Sequence, residues 1–242
     1  MTTLSARNVL ITGGGRGIGA ACAVLAAKAG ANVSILSRTK AQVDLVVSQL
    51  RRDFPNQKFF GFVGDVSQEP DVVRWVEESC AAIGPVTDLV NNAADFFSAP
   101  LVETKLKDWQ RLFAVNVEGV FLSSRECLKK MIPSKFKGSI VNIGSLAGVR
   151  GPEKFSGTTA YCATKSALVC LTEALAAETR EHGIRVNLIA PGAIETDMLK
   201  RAFPGFHSSA SPEELAEVVL YFLDPQGSKL VSGSVLEVFT NP

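Results

Sequence analysis

Asn8-Val9-Leu10-Ile11-Thr12-Gly13-Gly14-Gly15-Arg16-Gly17-Ile18-Gly19 joins a short apolar run to a glycine-rich turn, and a helix-period segment, Ile18–Ala29, follows directly. Strand, tight turn and helix in that order make a βα unit. Glycines let the backbone of such a turn bend sharply and come close to a ligand. The helix N-terminus beyond the turn favours negative charge, so a phosphate-bearing ligand suits it. The glycine pattern is G-x-x-x-G-x-G, and Ala20-Ala21 stands where a triphosphate-binding loop needs Lys followed by Ser or Thr. A dinucleotide is therefore the expected ligand, held by Gly13, Gly15, Arg16, Gly17, Ile18 and Gly19.

The same alternation runs along the rest of the chain. Strands are expected at Asn8–Ile11, Asn32–Leu36, Lys58–Val63, Asp88–Val90, Ser139–Ile143, Arg185–Ile189 and Val235–Phe239, each a Val, Ile or Leu-rich run suited to a sheet buried on both faces. Helices are expected at Ile18–Ala29, Lys40–Phe54, Pro70–Ile83, Leu106–Met131, Ala160–His182 and Pro212–Leu223. Right-handed crossovers then predict an α/β Rossmann fold. Its doubly wound, seven-stranded parallel sheet has the order 3-2-1-4-5-6-7 and helices on both faces. Residues 1–242 are read as one dinucleotide-binding catalytic domain, with a short substrate loop at about 197–211. Ligands of such sheets bind beyond the carboxyl ends of the strands, which is where the motifs fall.

Composition narrows the partners. The 25 Lys and Arg residues against 24 Asp and Glu, a net charge of +1, give no electrostatic footprint for nucleic acid or an anionic membrane. Cys22, Cys80, Cys127, Cys162 and Cys170 lack the spacing of metal or redox pairs, and no metal is expected. Reduced thiols, with no apolar run long enough for a membrane span and no secretory leader, point to a cytoplasmic protein.

The end of strand 2 selects the dinucleotide, because an acidic residue there would accept hydrogen bonds from a ribose 2′-hydroxyl and repel a 2′-phosphate. Here Ser37 and Arg38 occupy that tip. A guanidinium suits phosphate, and Arg16 is expected to approach the same group, so NADP(H) is the predicted cofactor. Asp65 and Val66, after strand 3, either flank the adenine or cap the next segment.

Tyr161-Cys162-Ala163-Thr164-Lys165 places a phenol and an ammonium on one helix face. Taken with Thr12–Gly19, Asn91-Asn92-Ala93, Asn116, Ser145 and Pro191-Gly192-x-Ile194-x-Thr196, the chain resembles the classical short-chain dehydrogenase/reductase family over essentially its whole length. It is similar to the 3-oxoacyl-acyl-carrier-protein reductase-like members. The resemblance implies Tyr161 as the acid/base on the substrate oxygen and Ser145 as a hydrogen-bond donor to it. It also implies that Lys165 holds the nicotinamide ribose and depresses the tyrosine pKa, and that Asn116 anchors a water leading to Lys165. Asn92, Ala93, Pro191, Gly192, Ile194 and Thr196 would meet the cofactor. The implied activity is NADP(H)-dependent hydride transfer between nicotinamide and a ketone or secondary alcohol, a carbonyl reductase, with 3-oxoacyl thioesters among the substrates. The implied assembly is a homotetramer or homodimer built on the helices 106–131 and 160–182 and the last strand. A catalytically idle dinucleotide-binding sensor or scaffold on the same fold is the alternative.

Ser145 precedes Tyr161 by sixteen positions, longer than the family pattern, so residues around Gly151-Pro152-Glu153-Lys154 read as inserted, and Ser156 is the competing donor. The short segment after Met198 predicts a wide, open mouth. Phe96, Phe97, Phe155, Met198, Phe203 and Phe206 are candidates to line it.

Overall fold

The computed structural model describes residues 3–134 and 136–240. Seven parallel strands form one sheet in the order β3-β2-β1-β4-β5-β6-β7. They are β1 (Asn8–Thr12), β2 (Asn32–Ser37), β3 (Phe59–Val63), β4 (Asp88–Asn91), β5 (Ser139–Ile143), β6 (Arg185–Pro191) and β7 (Val235–Val238). The helices are α1 (Gly17–Lys28), α2 (Lys40–Asp53), α3 (Glu69–Ile83), α4 (Leu106–Phe113), α5 (Gly119–Ser134), α6 (Thr159–Glu178), α7 (Asp197–Ala202) and α8 (Pro212–Leu223). None is long and apolar enough to cross a membrane among the described residues.

Both faces of the sheet are covered because alternate residues of each strand point to opposite sides. Val9 and Ile11 pack with Ala23 and Ala26 of α1, Val43 of α2 and Val219 of α8, while Leu10 joins Trp75 of α3 and Met131 of α5 on the other face. Trp75 is wholly buried, and full burial of one such large side chain contributes about 1.5–3 kcal/mol. Its indole N–H donates to Ser34 Oγ at 2.9 Å, so the buried polar atom is satisfied.

Three expected elements differ. The continuous helix expected over Leu106–Met131 is divided into α4 and α5 by a π-helical turn at Ala114–Glu118. Apolar period alone does not show such an insertion, which is held by contacts from Asn116 to a distant loop. The helix expected to reach His182 ends at Glu178 and continues as a 3-10 turn, Arg180–His182, terminated by Gly183 at φ 67°. The segment read as a loop after Thr196 begins with α7, whose Leu199 N–H donates to Thr196 Oγ1 at 3.3 Å.

Candidate functional site

The loops after β1 and β4 are tied together before they meet any ligand. Thr12 Oγ1 accepts from the backbone N–H groups of Asn92 and Ala93, each at 3.0 Å. Asn92 Nδ2 donates in return to the carbonyls of Thr12 (3.0 Å) and Gly13 (3.2 Å). A Cβ on Gly13 would stand 2.9 Å from Ala93 Cα, and one on Gly19 would stand 2.4 Å from the Gly13 carbonyl oxygen. The glycines are thus required by close approach as well as by the turn. The first turn of α1 has no side-chain cap and no acidic residue, leaving its N–H groups and the positive end of the helix for an anion. This cradle fits a pyrophosphate, and the sequence-predicted Gly13, Arg16, Gly17 and Ile18 line the cavity above it. Gly15 and Gly19 are not on the wall itself, and a Cβ on Gly15 would stand 2.8 Å from Ser37 Oγ.

Ser37 and Arg38 line the cavity where β2 ends, and no carboxylate stands at that tip. Arg38 Nη1 lies 3.9 Å from Asp65 Oδ2, in a largely exposed pair. Asp65 Oδ1 accepts from the Ser67 N–H at 2.9 Å and hydroxyl at 2.8 Å, so this aspartate both holds its own turn and faces the cavity beside Val66. Arg16 and Arg38 both line this cavity. Arg16 Nη1 reaches Asp197 Oδ2 at 3.2 Å, linking the glycine loop to the first residue of α7. No local signal in the sequence marks that partner, which lies 181 positions away.

At the other end, Tyr161 and Lys165 lie in the first turns of α6, with Ser145 at the end of β5. Ser145 Oγ accepts from Ala147 N at 3.1 Å, capping a 3-10 turn, and Ser145 and Tyr161 line the same stretch of cavity wall, close enough for the serine to favour the phenolate. Ser156 is exposed and is not part of the cavity wall, so Ser145 is the serine that the structure brings to Tyr161. The inserted stretch folds back because Lys154 Nζ donates to the carbonyls of Leu146 (2.9 Å) and Val149 (2.6 Å).

Lys165 is buried, with Nζ donating to the Ile143 carbonyl at 2.9 Å and lying 5.7 Å from the Tyr161 ring centroid. Burial lowers its ammonium to about 8. Burial also pushes the Tyr161 phenol up, to about 12, against the smaller lowering effect of Ser145. The chain's own groups therefore do not produce the depressed tyrosine expected from its lysine neighbour; loss of hydration outweighs the serine's effect.

Asn116 is wholly buried in the π turn. Its Nδ2 donates to the Asp95 carbonyl at 3.0 Å and to Thr164 Oγ1 at 3.1 Å, and its Oδ1 accepts from the Asp95 N–H at 2.7 Å. With these bonds both amide hydrogens are engaged, and the second lone pair of Oδ1 is the side-chain position left for a water. Asp95, which the sequence did not single out, is further held by Arg111 at 3.1 Å.

One cavity of about 650 Å³ runs from Arg38 and Asp65, past Ala93, Tyr161, Lys165, Pro191, Gly192, Ile194 and Thr196, to Phe155 and Phe206. Phe96, Met198 and Phe203 also line it, whereas Phe97 does not. At the mouth, α7 brings Phe203 to ring-centroid distances of 5.7 Å from Phe96 and 5.5 Å from Phe155.

A nucleotide cradle and a serine-tyrosine pair joined by one cavity on a doubly wound sheet define a nicotinamide-dinucleotide oxidoreductase architecture. Residues 7–205 match the family model for short chain dehydrogenase, and the chain belongs to that family. It is 32% identical to 2-(S)-hydroxypropyl-CoM dehydrogenase 3 of Xanthobacter autotrophicus, over 95% of this chain and 94% of the relative. The crystal structure of 3-ketoacyl-(acyl-carrier-protein) reductase from Brucella melitensis complexed with NADH is similar at a TM-score of 0.89 and 29% identity, covering 98% of both chains. A gluconate 5-dehydrogenase from Burkholderia cenocepacia, in complex with NADP and tartrate, is similar at a TM-score of 0.88 and 30% identity, with 98% of this chain and 95% of that one covered.

Proposed function

We propose that this oxidoreductase uses NADP(H) to interconvert a ketone and a secondary alcohol. The observation that carries the proposal is that Ser145, Tyr161 and Lys165 line one wall of a cavity whose other end carries Arg38. The nicotinamide, when bound, gives or takes the hydride. Gly13, Arg16, Gly17 and the first turn of α1 would hold the pyrophosphate, Arg38 would take the 2′-phosphate, and Lys165 would donate to the nicotinamide ribose. Ile194 and Thr196, with Pro191 and Gly192, border the nicotinamide.

In reduction, Tyr161 delivers its proton to the developing alkoxide while Ser145 donates a hydrogen bond to the same oxygen. A phenol raised to about 12 is protonated at neutral pH, the form this direction needs. The reverse direction needs the phenolate, which the Lys165 ammonium would favour, and an oxidised nicotinamide would add positive charge beside it. One structural relative is complexed with NADH and another with NADP, so the choice of dinucleotide rests on Arg38 and Ser37 in this chain.

The test is NADPH consumption with a ketone panel, in wild type and Tyr161→Phe. Positioned proton transfer contributes roughly 10²–10⁴-fold, so the variant should lose at least about a hundredfold in kcat while retaining NADPH binding. Full turnover by Tyr161→Phe would remove the assigned role. Wild type that binds NADPH and consumes none with any ketone would favour an idle binding protein. Assembly into a homotetramer or homodimer through α5, α6 and β7 is part of the proposal, supported by the exposed Phe121 on α5 and Leu236 on β7. A monomer in sedimentation at micromolar concentration would exclude it.

A further inference from the structure

Beyond Tyr161 the cavity holds a row of rings that proton transfer does not use. Phe96 sets its edge against Tyr161, with centroids 5.0 Å apart and planes at 65°. Phe203 follows at 5.7 Å and 54° from Phe96, and Phe155 at 5.5 Å and 56° from Phe203. The three phenylalanines come from separate segments: the loop after β4, the end of α7 and the inserted stretch before α6. Rings tilted in this way present faces and edges in turn, the arrangement that an incoming ring matches electrostatically.

The backbone beneath each ring is tied by a hydrogen bond. The Phe96 N–H donates to Asp95 Oδ1 at 2.9 Å, and the Phe203 N–H to the Leu199 carbonyl at 2.8 Å. The Phe155 carbonyl accepts from Thr158 Oγ1 at 2.6 Å, next to the Lys154 side chain that closes the inserted stretch. Phe155 is nevertheless 67% exposed, so its fixed position does not come from core burial. Supported aromatic groups at the mouth of a cavity provide preorganised contact area at low entropic cost.

The charges beside the row are already engaged. Lys154 Nζ is bonded to two carbonyls, and Lys200 lies 3.4 Å from Glu195, whose other oxygen accepts from the Ser208 N–H at 3.0 Å. A substrate carboxylate or sulfonate entering here would lose hydration and meet cations with existing partners.

We infer that Phe96, Phe155 and Phe203 form a ring subsite that selects an uncharged ketone bearing an aromatic ring beside its carbonyl. The carbonyl oxygen lies at Tyr161 and Ser145, and the ring lies along the cavity-facing side of Phe96, Phe203 and Phe155. The inference rests on the ketone-reduction reading and adds the substrate class to it. Straight-chain 3-oxoacyl thioesters and acidic ketones are the classes it disfavours.

The test measures kcat/KM at saturating NADPH for acetophenone, cyclohexyl methyl ketone, 4-acetylbenzoate, a 3-oxoacyl N-acetylcysteamine thioester and butanone. Acetophenone is expected to exceed cyclohexyl methyl ketone and 4-acetylbenzoate by roughly tenfold or more, the scale on which apolar pockets discriminate. In Phe155→Ala and Phe203→Ala the acetophenone-to-butanone ratio should fall by roughly tenfold, mainly through KM. Equal efficiency for the flat and saturated rings, a preference for the acid or the thioester, or an unchanged ratio in both variants would overturn the subsite. If no ketone turns over, the reduction reading fails, and saturation-transfer NMR with acetophenone still decides the subsite. Binding to wild type that is lost in Phe155→Ala supports it; no binding to wild type overturns it.

Discussion

Asn116 and Asp95 clasp each other through the Asp95 backbone, with the Asn116 amide accepting from its N–H at 2.7 Å and donating to its carbonyl at 3.0 Å. The clasp joins the π turn to the segment that carries Phe96 against Tyr161. The proton donor and one wall of the cavity are thereby positioned from the same buried side chain.

Replacing Asn116 with Ala leaves both Asp95 backbone groups and Thr164 without that partner. Loss of buried hydrogen-bond partners costs about 1–3 kcal/mol, so the urea midpoint should fall. Turnover should fall more than NADPH affinity, because the displaced groups lie at the chemical end. An unchanged midpoint together with unchanged kcat would show that the clasp does neither job.

Lys165 predicts a pH dependence with a definite sign. Burial lowers its ammonium to about 8 from an ordinary 10.5, so the charged donor is lost as pH rises through about 8. NADPH affinity should weaken across that range, and Lys165→Arg, whose guanidinium stays protonated, should remove the alkaline limb. The folding contribution has the opposite slope: between about 8 and 10.5 the unfolded chain binds the extra proton, so stability from this group rises with pH. Tyr161, raised to about 12 from 10.0, lowers stability with increasing pH above about 10, where only the unfolded phenol ionises. An affinity profile flat through pH 8, or an unshifted limb in Lys165→Arg, would contradict the assigned ribose contact.

Arg38→Ala separates phosphate recognition from general cofactor binding. A hydrogen bond to a charged group contributes about 1.5–3 kcal/mol, so NADPH should bind roughly tenfold to a hundredfold more weakly while NADH affinity changes little. Arg16→Ala should affect both dinucleotides alike, since Arg16 turns toward Asp197 rather than toward Arg38. Titration calorimetry on both variants checks the pair of outcomes, and a retained NADPH preference in Arg38→Ala would refute the 2′-phosphate role.

The strand order, the glycine loop and the Tyr161-x-x-x-Lys165 helix were legible because each is a local pattern. Buried parallel strands read as apolar runs, and right-handed crossovers leave few orders for seven of them. The choice between Ser145 and Ser156 was not legible. Both precede Tyr161 on a stretch of irregular backbone, and only the folded chain puts Ser145, just beyond β5, on the cavity wall with Tyr161 while Ser156 stays exposed.

By itself, then, the sequence determined a doubly wound dinucleotide fold and the types of side chain at its carboxyl edge, because hydrophobic period and glycine spacing act over a few residues. Tertiary structure alone decided the π turn at Asn116, the Arg16–Asp197 link, the helix after Thr196 and the aromatic row from Tyr161 to Phe155. It also decided the direction of the tyrosine's pKa. Burial and contacts between distant segments set these features, and neither can be read from spacing along the chain.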